Sequence, residues 1–498
     1  MSGAGRQRLQ TLQQMIPSPE ATACLSEAAA RRLQLVPLAR CCKRDHDELL
    51  VACADPCDDA LAERLSRQVP MGVKPILVAA VIGDIPGAID KCYAKGASMN
   101  ELVELCGQPA TAMQLLQHQP DAIVRLLEGL LLSALRQRAS DIHLSPDAQQ
   151  LQVRFRVDGV LRPVSTLSKS VHNGLLVRIK ILSSVDIAET RRPQDGQFSQ
   201  FMDGSVIDFR VSCFPTISGQ NIVIRVLDSQ CKHDSLARLN LPAGLSRTLS
   251  ALSHRPEGLL VICGPTGSGK SNTLHALINE RDATSLNIMT LEDPVEIRMA
   301  GIRQSSIDAE HAMDFAKGVR GLLRQDPDVL LIGEVRDQAS CAMALRAVMS
   351  GHQLLTSVHA ASAVAGLARL KELGALPGQL AENLMAIASQ RLVRSVCQQC
   401  NGRAEECPDC QGSGYRGRQL IMELLLVTPQ LAPLIARDEP VDVLLECART
   451  SGFRTLREQG ELLVRQGRTS QGEIERVLGR EERQGYAHAP QGGMTVCE

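Results

Sequence analysis

The chain has 498 residues, room for about three domains at roughly 150 residues each. Its 54 basic side chains balance 55 acidic ones, and it carries no Trp, three Tyr and seven Phe. So neutral a chain, with so few aromatic platforms, lacks the basic, stacking track that binds nucleic acid. Apolar runs such as ILVAAVIG at 76–83 fall well short of the about 18 residues that span a bilayer.

The N-terminus has no long apolar segment of the kind a signal peptide needs, and the spacing of Leu9, Leu12 and Ile16 predicts a short amphipathic helix. Seventeen cysteines, odd in number and scattered, do not form a secreted disulfide framework. We therefore expect a soluble, cytoplasmic chain whose membrane role, if any, runs through partners.

From 17 to about 95, strand signals (ELLVACADP, VKPILVAA) alternate with helical stretches (DDALAERLSRQV, IPGAIDKCY), which predicts a small α/β domain within 1–110. A polar stretch at 94–120 reads as a linker. A strongly apolar helix from 121 then leads into a segment, 120–232, with two hairpin signals, Asp158-Gly159 and Asp203-Gly204, and a further strand, NIVIRVLD. This predicts an α+β middle domain, PAS-like, built on an antiparallel sheet.

Beyond a second linker at 228–240, GLLVIC (258–263) is apolar throughout, as a buried parallel strand is, and SNTLHALINE after it reads as a helix. Between them stands GPTGSGKS, which completes the pattern G-x-x-x-x-G-K-[ST] in Gly264, Gly269, Lys270 and Ser271. Glycines let successive N–H groups turn inward around an anion, and the helix start adds its positive dipole end. Residues Gly264, Pro265, Thr266, Gly267, Ser268, Gly269, Lys270, Ser271 and Asn272 are thus expected to cradle the phosphates of ATP or GTP. Lys270 would reach the β- and γ-phosphates and the Ser271 hydroxyl would ligate Mg²⁺.

Further strands, NIMTLED (287–293), DVLLIGEV (328–335) and QLLTSVH (353–359), predict a three-layer parallel α/β core over 240–395, with ligands beyond the strand carboxyl ends. Those ends carry Glu292 and Asp293, Glu334, and His359. Phosphoanhydride hydrolysis needs a held Mg²⁺ and a water in line with the γ-phosphate, and carboxylates serve both needs. We favour Glu292 for the water and Glu334 for the Mg²⁺ shell, although the motif leaves the reverse order open. His359 is placed to touch or sense the γ-phosphate, with His352 a second candidate.

Two C-x-x-C pairs follow, Cys397 with Cys400 and Cys407 with Cys410, and four thiolates in two knuckles predict a closed, structural Zn²⁺ site over 396–418. Residues 419–484 are expected to be helical and 485–498 a disordered tail.

Taken in order, GPTGSGKS, LEDPVE, LLRQDPDVLLIGEVRD and SGHQLLTSVH resemble the motifs of the type II secretion and type IV pilus assembly ATPases, and ASDIHL, VRFRVDGVL, RRPQDGQ and GQNIVIRVLD extend the likeness over roughly 120–430. The resemblance implies a RecA-like P-loop ATPase core in a homo-hexamer, in which the middle domain of one subunit supplies arginines to the nucleotide of the next. By motif position these are Arg210 and Arg225, with Arg320 and Arg324 further candidates. It also implies an inner-membrane platform protein and a cytoplasmic docking protein as partners, peripheral attachment to the inner membrane through them, and pilin or pseudopilin assembly as the work done. The four-cysteine element followed by GYRGR (414–418) is the pattern of extension and secretion motors rather than retraction motors. This chain departs from the pattern at Ala360, Ala361 and Ser362, where Thr-Asn-Asp is usual, and at Asn272, where Thr is usual. A nucleic-acid or conjugation motor on the same core is the competing reading. The N-terminal domain is taken to dock on a partner; it lacks a repeated Arg-Leu-Gly signature, and cyclic-dinucleotide binding there stays an alternative.

Overall fold

Alternating and continuous apolar runs set where this chain pairs into sheets, and the computed structural model contains three of them among the described residues. Those residues are 19–42, 47–70, 72–93, 103, 106–107, 122–202, 205–227, 235–307, 314–404 and 407–480. The expected helix around Leu9 to Ile16, most of both linkers, the Asp203-Gly204 turn and the tail lie outside them. The chain divides into two compact units, 1–230 and 231–498, and each is described by itself.

Unit one begins with α1 (Pro19–Cys24), α2 (Glu27–Leu33), β1 (Val36–Cys42), β2 (Asp47–Cys53), α3 (Asp59–Ser66), β3 (Val73–Ala79) and α4 (Ile85–Tyr93). The sheet order is β1-β2-β3, antiparallel and then parallel, over a core that includes Leu35, Leu49, Val51 and Ile89. Asp58 starts α3 by accepting from Leu61 N–H, an N-cap of the usual kind. Strand β1 went unforeseen because Pro37 and Arg40 interrupt its apolar run. Antiparallel pairing with β2 and the hydrogen bond from Arg40 Nε to Asp47 hold it.

The same unit continues with α5 (Ala122–Arg136), β4 (Ala139–Pro146), β5 (Gln150–Val157), β6 (Val160–Ser168), α6 (Lys169–Leu182), β7 (Gln194–Met202), β8 (Ser205–Thr216) and β9 (Gly219–Leu227). All pairings in the sheet β6-β5-β4-β9-β8-β7 are antiparallel, as expected for the middle segment. Asp158 (φ 49°) and Gly159 (φ 82°) make the turn between β5 and β6, and positive φ at both is what a two-residue hairpin of this hand requires. Period-two alternation in β5 buries Leu151, Val153, Phe155 and Val157 against α5 and α6, and sends Arg154 and Arg156 to the opposite face.

Unit two contains α7 (Ala243–Ser253), β10 (Gly258–Cys263), α8 (Lys270–Asn279), β11 (Ile288–Glu292), β12 (Arg303–Ser306), α9 (Phe315–Leu322), β13 (Val329–Ile332), α10 (Gln338–Met349), β14 (Gln353–Val358), α11 (Ala363–Glu372), α12 (Pro377–Asn383), β15 (Leu384–Val396), β16 (Tyr415–Leu426), α13 (Ala432–Ala436), α14 (Val441–Thr450), α15 (Leu456–Arg465) and α16 (Gln471–Leu478). Its seven strands run in the order β12-β11-β13-β14-β10-β15-β16, parallel except for the last pair. Every residue of β10, β13 and β14 is buried, which matches the unbroken apolar sequence of β10 and β13 and helices on both sheet faces, while β14 also buries the polar Gln353, Thr356 and Ser357. One core packs under α9 to α12 and reaches α13 and α14, and a second packs under α7 and α8.

The stretch expected to be helical from 419 begins instead as β16, which pairs antiparallel with β15 over a long hairpin. The apolar run LIMELLL is ambiguous by periodicity alone, and its partner in β15 decides it. Helices α15 and α16 then pack on this hairpin through Val393, Ile421, Leu456, Leu463 and Ile474. Among the described residues no helix is long and apolar enough to cross a membrane.

Candidate active site

Strand β10 lies between β14 and β15, so the loop that leaves its carboxyl end is flanked by the ends of both neighbours. Gly264, Gly267 and Gly269 take φ of 153°, 76° and 87°. A Cβ on Gly264 would lie 2.4 Å from Ser268 Oγ and 2.8 Å from the Gln390 carbonyl, so only glycine fits there. Around Gly267 nothing lies within 4 Å of an added Cβ, which leaves that side of the loop open. Ser268 Oγ is buried and finds no hydrogen-bond partner among the described residues. An open glycine loop, an unsatisfied hydroxyl, a helix start at Lys270 and an exposed Ser271 together fit the phosphates of a nucleotide and its Mg²⁺.

Lys270 folds back over the loop, its Nζ donating to the carbonyls of Gly264 (3.0 Å) and Pro265 (3.2 Å). Burial pulls its pKa down, and the charge of Glu334 works against that. Glu334 stands just past β13, with its Oε2 accepting from Arg336 Nε at 3.0 Å and its Oε1 3.2 Å from His359 Nε2. Arg336 also donates to Asp293 Oδ2 at 3.0 Å, so one guanidinium bridges the acids at the ends of β13 and β11. The structure thus gathers Lys270, Glu334, His359 and Asp293 at one edge of the sheet.

Glu292 is placed differently. It is buried, with Oε2 accepting from His275 Nε2 (2.9 Å) and Oε1 accepting from Thr290 Oγ1 (2.7 Å) and Gln304 Nε2 (3.1 Å). Burial pushes its carboxyl upward, but the hydrogen bonds from His275 and Thr290 prevail and hold it below its usual range. His352 sits at the opposite end of β14 from His359, about 20 Å away at strand spacing, and its Nδ1 lies 2.9 Å from the Ala347 carbonyl at the end of α10. It belongs to a helix terminus and not to the phosphate site.

In unit one, Arg210 and Arg225 face each other across β8 and β9. Arg225 Nε donates to Asp141 Oδ1 at 3.0 Å, and Arg156 Nε lies 3.6 Å from the same carboxylate. Asp141 is buried while the Arg225 side chain is 59% exposed, so the acid sets the direction of a guanidinium that faces outward. In unit two, Arg320 and Arg324 lie at the end of α9, where Arg324 donates to the Arg320 carbonyl at 3.2 Å.

Cys397, Cys400, Cys407 and Cys410 converge in the turn between β15 and β16, with all four sulfurs within 4.8 Å of one another. The Cys397–Cys407 and Cys400–Cys410 separations are 3.9 and 3.7 Å. A tetrahedron with metal–sulfur bonds of about 2.3 Å has an edge of about 3.8 Å, so the four thiols fit Zn²⁺ closely. The N–H of Gly414 donates to Cys410 Sγ at 3.3 Å, a backbone contact that supports a thiolate ligand.

Sequence reasoning passed over Gln390, Arg391 and Glu423. Gln390 Nε2 donates to the Ser268 carbonyl (2.8 Å) and its Oε1 accepts from Thr273 Oγ1 (3.0 Å), fastening the glycine loop to α8. For Glu423 a signal existed, a lone charge inside the apolar run LIMELLL, where a buried polar group needs a partner, whereas Gln390 and Arg391 sit in the mixed stretch SQRLVRS and carry none.

A parallel sheet that delivers a glycine loop with its lysine, a strand-end glutamate and a histidine to one edge defines a P-loop ATPase of the RecA-like class. The family model described as "Type II/IV secretion system protein" matches residues 117–476, and the chain belongs to that family. A second model, "MshEN domain", matches residues 8–99. The chain is 37% identical over 432 residues to the type II secretion system protein HxcR of Pseudomonas aeruginosa, covering 84% of this chain and 92% of the relative. It is 36% identical over 406 residues to the type II secretion system ATPase E of Vibrio cholerae, covering 77% and 80%. The crystal structure of the pilus retraction motor PilT with bound ADP superposes with a TM-score of 0.51 at 25% identity, over 70% of this chain and 95% of that one. The Legionella pneumophila ATPase DotB shares the fold, with a TM-score of 0.55 at 20% identity over 70% and 94%.

Proposed function

We propose that this protein is a cytoplasmic, hexameric ATPase whose hydrolysis of ATP powers pilin or pseudopilin assembly in type II secretion or type IV pilus extension. The observation that carries this is the cluster of Lys270, Glu334 and His359 around an open glycine loop, in a chain of the secretion ATPase family. On this reading the chain comprises a partner-docking domain over 1–110, a middle domain over 120–232, an ATPase core over 240–395 whose sheet β16 completes, a zinc element over 396–418, and a C-terminal region over 419–484. Bound Mg²⁺ supplies charge neutralisation and a fixed phosphate geometry, with Ser271 as its protein ligand.

Lys270 exchanges its two carbonyl partners for phosphate oxygens, a charge-assisted contact that is shorter and stronger than those it leaves. Between the two acids, accessibility favours Glu334 for orienting the attacking water, the reverse of the sequence preference. Glu292 has both oxygens committed to three donors, which suits it to holding the end of β11. Glu334 stands at the open edge beside His359, with its charge felt at Lys270. Arg225 and Arg210 serve as the arginines presented to a neighbouring subunit's nucleotide, which the outward exposure of Arg225 supports. The four-cysteine turn binds structural Zn²⁺, and attachment to the inner membrane runs through a platform protein and a docking protein.

The full-length chain with Mg²⁺ and ATP tests this directly. Phosphate release should accompany hexamer formation seen by mass photometry, and Lys270→Ala should lower turnover by about a hundredfold or more. Unchanged turnover in Lys270→Ala, or no affinity for adenine nucleotide in the parent, would overturn it.

A further inference from the structure

Two loops meet at the nucleotide edge, the glycine loop and the segment from His359 to Ser362, and both are fastened from the same hairpin. Gln390 of β15 holds the first through Ser268 and Thr273. Its neighbour Arg391 holds the second, donating Nη2 to the Ala361 carbonyl at 2.7 Å and Nη1 to the Gln390 carbonyl at 2.8 Å. Across the hairpin, Glu423 of β16 accepts the Ala363 N–H at 2.7 Å on Oε1 and the Leu456 N–H at 2.9 Å on Oε2.

Glu423 is only 4% exposed, and a carboxylate so buried needs strong compensation. It receives that from the first-turn N–H groups of α11 and α15, whose dipole ends favour an anion, and from the charge of Arg391. Burial nevertheless pushes its pKa up. A nonpolar residue would fill this place more cheaply if packing were the only requirement, since burying charge rarely adds net stability. What the carboxylate adds is direction: it fixes the first N–H of α11, four residues beyond His359, while Arg391 fixes the carbonyl of Ala361 between them.

We propose that Arg391 and Glu423 are positioning residues of the ATPase reaction, holding the His359 loop so that its imidazole meets Glu334. They take no part in binding the nucleotide, which the glycine loop and Lys270 do. Because Glu423 also carries the N–H of Leu456, the C-terminal helix α15 shares the anchor, and the loop is set by the same residue that seats that helix. This rests on the proposed role of the Lys270, Glu334 and His359 cluster.

The distinguishing readout is a split between kcat and KM, measured for ATP turnover by the full-length chain in Glu423→Gln and Arg391→Gln. The amide in place of the carboxylate keeps the shape but can accept at one oxygen only. We expect kcat to fall about tenfold with KM and the affinity for a fluorescent ADP analogue within about twofold of the parent, the pattern of an interaction realised after binding. Arg391→Gln, which frees the same loop at Ala361, carries the test if Glu423→Gln melts early. A kcat within twofold of the parent in the folded variant, or KM and affinity weakening while kcat holds, would overturn the assignment. Lys270→Ala run in parallel separates the two claims: if it turns over normally, the catalytic cluster itself is misassigned, whatever Glu423 does.

Discussion

A buried carboxylate on α16, Glu473, ties that helix to β15, and removing it gives a measurable loss. Glu473, with a side chain of 0% exposure, accepts from Arg394 N–H (2.9 Å), Arg394 Nε (2.9 Å), Arg476 Nε (2.8 Å) and Arg476 Nη2 (2.7 Å). Arg394 is itself only 14% exposed and lies over the Tyr415 ring, 4.1 Å from its centroid, whereas Arg476 is 42% exposed and screened. Breaking a buried pair by deleting one partner costs about 3–5 kcal/mol, and discounting the screened arginine leaves about 3 kcal/mol for Glu473→Gln. At about 2–4 °C per kcal/mol for a domain of this size, the melting temperature should fall by about 6–12 °C.

The same carboxylate gives a pH signature. Burial raises its pKa, but the hydrogen bonds from Arg476 and Arg394 outweigh burial and hold it below the usual 4.5. As pH falls below 4.5 the unfolded chain takes up this proton first, so the Glu473 contribution is full above that pH and is lost as pH drops through the depressed folded value. Calorimetry of parent and Glu473→Gln from pH 7 downward should therefore show a gap in melting temperature that closes at acid pH. A gap under about 2 °C at pH 7, or one that widens on acidification, would refute the reasoning.

Glu334→Gln should lower kcat by about a hundredfold with the fold intact, whereas Glu292→Gln should also lose about 1–3 kcal/mol of stability, because an amide cannot satisfy all three of its donors; steady-state kinetics beside thermal melting separates the two acids. Gln390→Ala frees the glycine loop at Ser268 and Thr273, and should raise KM for ATP about tenfold, as initial-rate kinetics would show. Native mass spectrometry should find one zinc per chain, absent from Cys407→Ser, and a metal-free parent of full stability would count against a structural site.

The sheet edge that gathers Lys270, Glu334 and His359 was legible because its parts are local in sequence: β10 and β13 are short apolar runs, Glu334 and His359 follow their strands within two residues, and Lys270 closes the glycine loop that leaves β10. The middle sheet was legible for a related reason, since Asp158-Gly159 marks a turn by backbone preference alone. What stayed hidden depends on pairing across long separations. Strand β16 reads as helix or strand with equal ease until β15 is beside it. The commitment of Glu292 to His275 and Gln304 joins three elements, and no spacing rule along the chain reveals it. Likewise Glu423 declares itself only as a charge inside LIMELLL, while the two amides it serves lie 60 and 33 residues away.

Strand β12 forms one margin of the seven-stranded sheet with four residues, Arg-Gln-Ser-Ser, and Gln304 turns its amide inward to Glu292 and to the Ile297 carbonyl. A rim so brief and so polar offers little template to a foreign strand. At this margin a backbone ladder to another chain is disfavoured, so any contact made there runs through side chains and leaves the two surfaces free to shift past each other.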